Sequence, residues 1–92
     1  PGTSEANLAN TYQNLGVLYF RHMHREAEAP PLFRRSIEIG VKYPAKWHVA
    51  AKAAVQLAHW HAEAGDFEQA LRRARQAYDL ARQAQDTPSR FG

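Results

Sequence analysis

The apolar side chains Leu8, Tyr12, Leu15, Tyr19 and Met23 recur at steps of three and four, which places them along one side of a helix. This spacing predicts a first helix from about Ser4 to Arg25, capped by Ser4 and opened by Glu5 at the positive end of its dipole. Gly16 falls in the middle of it, where glycine costs roughly 1 kcal/mol relative to alanine, so a neighbouring helix is expected to press against that position. A second stripe, Leu32, Phe33, Ser36, Ile37 and Gly40, predicts a helix to about Lys42 that begins near Glu28, or earlier with a local kink. Pro30 and Pro31 then belong to its first turn, where missing N–H donors matter least. Tyr43-Pro44 marks the next break, because a residue before proline avoids helical angles.

Trp47, Ala50, Ala54, Leu57, Ala58 and His61 share one side of a third helix, from about Ala45 to Ala64. A fourth runs from Phe67 to about Gln85, with Phe67, Ala70, Leu71, Ala74, Ala77, Tyr78 and Ala81 inward and Arg72, Arg73, Arg75 and Arg82 outward. Between them Gly65 supplies the left-handed residue that ends a helix, and Asp66 can cap the next one, with Gln69 three residues on. The first hinge, His22 to Glu26, has no such glycine. The expected fold is all-α: four antiparallel helices forming two stacked hairpins, residues 5–42 and 45–85, with a gently right-handed superhelical offset and a fraying tail at 86–92.

Laid on itself, the chain repeats. Tyr12-x-x-Leu15-Gly16-x-x-Tyr19 followed by Ala29-x-x-x-Phe33 matches Ala54-x-x-Leu57-Ala58-x-x-His61 followed by Ala70-x-x-x-Ala74-x-x-Ala77, with 54 − 12 = 42 residues from Tyr12 to Ala54. A large residue, then Leu-Gly or Leu-Ala, then an aromatic, with small and aromatic residues on the second helix, resembles the tetratricopeptide repeat. The period exceeds that family's usual 34 or so, and together with the segment Ala29-Pro30-Pro31-Leu32-Phe33 it looks like the kinesin-light-chain-like branch. The resemblance covers about residues 8–85. Met23 or His24 stands where the first hinge would carry glycine, and the first hairpin has one extra residue before Ala29. In the second hairpin His61 replaces the aromatic and Ala74 replaces the large residue. The resemblance implies a stack in which small residues let helices approach and large ones fill the gaps. About three repeats are usually needed for such a stack, so the chain is expected either to continue in a longer protein or to self-associate.

Composition narrows the setting. With 92 residues and 45% hydrophobic content the chain is one small domain or part of a larger protein. Pro1-Gly2-Thr3-Ser4 (residues 1–4) looks like a cleavage or cloning scar ahead of a fragment. There is no cysteine, which removes disulfides and thiolate metal sites, and no apolar run approaches a membrane span, so a cytoplasmic location is expected. The net charge of +3 is spread over helical arginines that alternate with Glu38, Glu68 and Asp79, which suits solubility better than nucleic-acid binding.

In repeats of the resembling family the first helix of each hairpin lines a concave groove. Carried over by position, that groove is Asn10, Gln13, Val17, Phe20 and Arg21, then Lys52, Val55, His59, Ala62 and Glu63. The lysine and asparagine clamp that chaperone adaptors of this family use for a terminal carboxylate is absent, with Gln13 and Val17 in its place, so an acidic chaperone tail is not the expected ligand. Phe20 and Trp60 fall partly off the inward stripe and are candidate anchors for a partner, whereas Trp47 is expected in the core. The histidine pairs His22/His24 and His59/His61 are two apart, on opposite sides of a helix, and give no metal site; no cofactor is expected. No Gly-rich phosphate loop or nucleophile elbow is present, so no enzyme activity is expected. The reading is a protein-interaction scaffold that holds a peptide, a helix or a copy of itself. The alternatives are a regulatory helical segment of a larger ATPase or transcriptional regulator, and a basic nucleic-acid module.

Overall fold

The computed structural model describes residues 2–86. Among them are four α-helices: α1, Gly2–Val17; α2, Ala29–Gly40; α3, Trp47–Glu63; and α4, Phe67–Asp86. α1 packs on α2, α2 on α3 and α3 on α4, and α1 also reaches α3, so two antiparallel hairpins stand side by side with their first helices adjacent. The terminal segments expected to be a scar and a fraying tail lie outside the described residues at Pro1 and 87–92. Within the described backbone α1 already begins at Gly2, ahead of the predicted cap at Ser4. Its first turn is anchored to the far end of the hairpin, because Glu5 accepts hydrogen bonds from the Tyr43 hydroxyl and, at 3.1 Å, from Lys42 Nζ. The Tyr43 hydrogen bond, then the hydrogen bond and charge of Lys42, hold the Glu5 carboxyl below its ordinary pKa.

The two hinges solve one problem with different residues. At the second, Gly65 has φ +85°, its N–H bonds the Ala62 carbonyl at 3.0 Å, and the Asp66 N–H bonds His61 at 2.8 Å, the paired bonds of a Schellman stop. Asp66 Oδ1 then accepts from the Gln69 N–H at 3.2 Å and caps α4. At the first hinge α1 widens into a π-turn over Leu18–His22, and His24 takes the left-handed position at φ 55°. A π-turn adds a residue per turn. It takes up the extra residue of this hairpin, since Tyr12 to Ala29 spans 17 steps where Ala54 to Ala70 spans 16 (29 − 12 and 70 − 54). α2 then starts through a 3₁₀ turn at Glu26–Glu28, with both prolines in its first turn.

Small residues set how close the helices come. A Cβ on Gly16 would lie 2.6 Å from the Phe33 ring, so α1 and α2 touch through a glycine and an aromatic face. One on Gly40 would lie 2.9 Å from the Ala50 Cβ, which brings α2 equally close to α3. The main core joins Phe20, Phe33 and Ile37 to Ala53, Ala54 and Leu57. Ser36, fully buried, donates to the Ala9 carbonyl at 2.8 Å and so adds no unmet polar group to the core.

Two expectations about facing need correction. Along α1 and the hinge that follows it, the buried residues are Ala9, Gly16 and Phe20, while Leu8 and Met23 are exposed and Tyr12, Leu15 and Tyr19 only half-buried. The small residues, one position further round, are what permit contact with α2. On α4 the buried residues are Ala70, Ala77 and Leu80, whereas Phe67, Leu71, Ala74, Tyr78 and Ala81 are exposed. Among the described residues α3 is the helix that packs extensively on α4, and it leaves these apolar side chains exposed.

Candidate protein-interaction surface

The residues predicted to line one groove divide into two groups. Asn10, Gln13 and Val17 on α1 are half-buried at the edge where α1 meets α3. Arg21 crosses that edge to Glu63, 42 residues on, in an exposed ion pair of 3.1 Å, and its guanidinium lies 4.0 Å from the Phe20 ring centroid. Phe20 is 6% exposed and belongs to the core, so it is not the surface anchor its position on the helix had suggested; the widened turn rotates it inward against Phe33. Trp60 is half-buried, and its indole N–H donates to the Glu26 carbonyl at 2.7 Å, tying the second hairpin to the first hinge. Trp47, also half-buried, donates to the Val41 carbonyl at 3.1 Å.

Lys52, Val55 and His59 face elsewhere. Together with Ala51, Ala58 and Ala62 they form one wall of a groove whose other wall is α4, with Leu71, Ala74, Tyr78 and Ala81. The groove has a volume of about 1050 Å³ and lies on the side of the second hairpin away from the first. Its floor is alanine and its walls are mostly apolar, with Lys52, His48 and His59 on the α3 rim. Burying each large side chain of this kind is worth about 1.5–3 kcal/mol.

Repeat arithmetic explains why this surface is open. Positions of α2 correspond to positions of α4 41 residues on (70 − 29). Ala29/Ala70, Ser36/Ala77 and Ile39/Leu80 are buried in both hairpins, and these are contacts each hairpin makes within its own part of the stack. Pro30, Phe33, Ile37 and Gly40 are buried, yet their counterparts Leu71, Ala74, Tyr78 and Ala81 are exposed, Leu71 at 54% and Tyr78 at 62%. On the first helices Asn10, Gln13 and Val17 are half-buried where Lys52, Val55 and His59 are exposed. What covers these positions in the first hairpin is α3; among the described residues no element covers the same face of the second hairpin.

The arginines form a different surface. Arg72 and Arg75 are exposed, and burial together with the charges of Arg34 and Arg72 pushes the Arg73 guanidinium below its ordinary pKa. Arg73 donates to Gln76 Oε1 at 2.8 Å and Arg35 pairs with Glu38 at 3.2 Å, so part of this charge is engaged locally. Among the described residues no three His, Cys, Asp or Glu side chains gather as metal ligands, and no helix is long and apolar enough to cross a membrane.

Two helical hairpins, related residue by residue and packed through small residues at their contact, define a helical-repeat protein. The match extends to a named family: the tetratricopeptide-repeat model fits residues 6–83. The chain belongs to the tetratricopeptide-repeat family, a class of protein-interaction modules. No curated protein and no solved structure matches it.

Proposed function

We propose that the chain is a scaffold that holds a helix of a protein partner on the α3–α4 face. Lys52, Val55 and His59 form one rim of that site, and Leu71, Ala74 and Tyr78 form the opposite wall. One observation carries this reading: the positions that receive α3 on the first hairpin recur, uncovered, on the second. An apolar groove bordered by two helices suits an amphipathic helix laid along it. At the α1–α3 edge, where Asn10, Gln13 and Val17 are half-buried, Arg21 bonds Glu63 and Trp60 bonds the Glu26 carbonyl, so this edge joins the two hairpins and serves that site as support. A cytoplasmic setting belongs to this reading, since a cysteine-free chain suits a reducing compartment. The 42-residue offset from Tyr12 to Ala54 favours the longer-period, kinesin-light-chain-like members of the family.

The test is a titration of the isotope-labelled chain with a synthetic amphipathic helix carrying leucines at i, i+3, i+7 and i+10, followed by amide chemical shifts. Shifts confined to α3 and α4, and lost in Leu71→Glu, are the expected result. Shifts centred on Asn10, Gln13 and Arg21, or none at all, would refute it.

A further inference from the structure

We infer that the helix seated on the α3–α4 face is α1 of a second copy of this chain, so that copies associate head to tail. The inference rests on reading that face as the recognition surface and adds the identity of its occupant. α3 meets the first hairpin through Ala50, Ala53, Leu57 and Trp60, the first three fully buried. Shifted back by 42 residues, the same stripe is Leu8, Thr11 and Leu15 on α1 and Leu18 at the start of the π-turn. Most of it is open to solvent: Thr11 is exposed, Leu8 is 42% exposed and Leu18 46%, with Leu15 half-buried. One end of the molecule thus carries outward the stripe that α3 carries inward, and the other end carries the face that such a stripe fits.

Charge and bulk agree with this pairing. From Gly2 to Val17 the only charged side chain is Glu5, and it is engaged by Tyr43 and Lys42. A helix meant to stay in water on its outer side ordinarily carries charges there, as α4 does with its arginines and acids. At the interface already formed, Phe33 projects from α2 into the cluster containing Ala53 and Ala54. At the second interface the position of Phe33 is held by Ala74, and the counterparts of Ala50 and Ala53 are Leu8 and Thr11, both larger and both exposed. Large against small becomes small against large, which keeps the filled volume nearly constant. A contact of this kind joins two different surfaces, so it leaves one of each free and propagates into a ring or an open chain.

Sedimentation velocity of the chain from low micromolar to millimolar concentration tests it, with Leu18→Glu removing the stripe and Leu71→Glu removing the face. The wild type is expected to grow past the dimer as concentration rises, and each variant to weaken association by about 30-fold or more. An equimolar mixture of the two variants is expected to form a dimer and stop there, because each supplies the surface the other lacks. Both substitutions are at exposed positions, and unchanged circular dichroism checks that the variants are folded; Leu8→Glu serves as a second stripe variant. A wild-type monomer at all concentrations, association that survives both Leu8→Glu and Leu18→Glu, or a mixture that yields no dimer overturns the inference. If the wild type stays monomeric while the synthetic leucine helix still binds α3–α4, self-association fails and the scaffold reading stands; if neither occurs, both fall.

Discussion

Replacing Gly16 with alanine tests the closest contact in the molecule. In an open helix the change stabilises by about 1 kcal/mol, because glycine loses more backbone freedom on folding. Here the new methyl would sit 2.6 Å from Phe33 Cε1 and 2.9 Å from Cδ1, whereas ordinary contact begins at 3.4 Å. The ring would have to retreat by 3.4 − 2.6 = 0.8 Å. Phe33 is fully buried among Phe20, Ala53, Ala54 and Leu57 and has no space to move into. Overpacking of that kind costs about 1–3 kcal/mol. Taking about 2 for the clash and about 1 for the helix gives a net loss of about 1 kcal/mol, or roughly 4–8 °C in Tm for a domain of this size. Urea unfolding followed by circular dichroism measures it. The decisive step is to repeat the change in a Phe33→Leu background, where the methyl fills space left by the ring. There Gly16→Ala is expected to stabilise by about 1 kcal/mol, so its sign reverses and the coupling is about 2 kcal/mol. A stabilising Gly16→Ala in the wild-type background, or equal effects in both, would refute the close packing of α1 on α2.

Other outcomes follow from the hinge and the hairpin end. His24→Gly is expected to stabilise by about 0.5–1 kcal/mol, since a left-handed backbone suits glycine, and the exposed imidazole gives up only a 3.9 Å approach to Glu26; a loss of stability in thermal unfolding would show that the ring has an unseen role. Glu5→Gln is expected to destabilise at neutral pH. The folded-state pKa of Glu5 is depressed by Tyr43 and Lys42, so its contribution is present above the unfolded-state value and is lost as pH falls through the folded one. The difference between wild type and variant should therefore shrink below about pH 4, and a difference that persists at pH 2 would contradict the assignment. Trp60→Phe should cost about 1 kcal/mol through loss of the bond to the Glu26 carbonyl, measured by urea unfolding, with no loss counting against that tie between hairpins.

Helix number and the breaks at Tyr43-Pro44 and Gly65-Asp66 were legible because proline, glycine and aspartate act locally, through backbone angles and caps. The contact at Gly16 was legible for a related reason: a costly glycine in a helix needs a neighbour, and Phe33 is that neighbour. Facing was less legible. Periodicity gives the width of an apolar stripe and leaves open how much of it a neighbour covers. On α4 the apolar arc from Leu80 round to Leu71 spans about 180°, against roughly 100° for a helix with one packed face. That excess was a signal that part of the arc is left uncovered. Phe20 was misjudged because the π-turn rotates it inward, and a one-residue insertion in the first hinge does not state where it will be absorbed. The split of the candidate groove has the same origin: Lys52, Val55 and His59 repeat the positions of Asn10, Gln13 and Val17, but equivalent positions have different neighbours in a stack of two.

The account depends on one unit occurring twice, covered in its first copy and open in its second. The chain has no cysteine, so single-cysteine variants report on one position at a time. Ile37 and Tyr78 are equivalent, the first 5% exposed and the second 62%. Thiol labelling of Ile37→Cys and Tyr78→Cys in dilute solution measures the contrast directly. Position 78 is expected to react on the order of a hundredfold faster, because labelling at position 37 requires local opening of the stack; equal rates at the two positions would contradict the account.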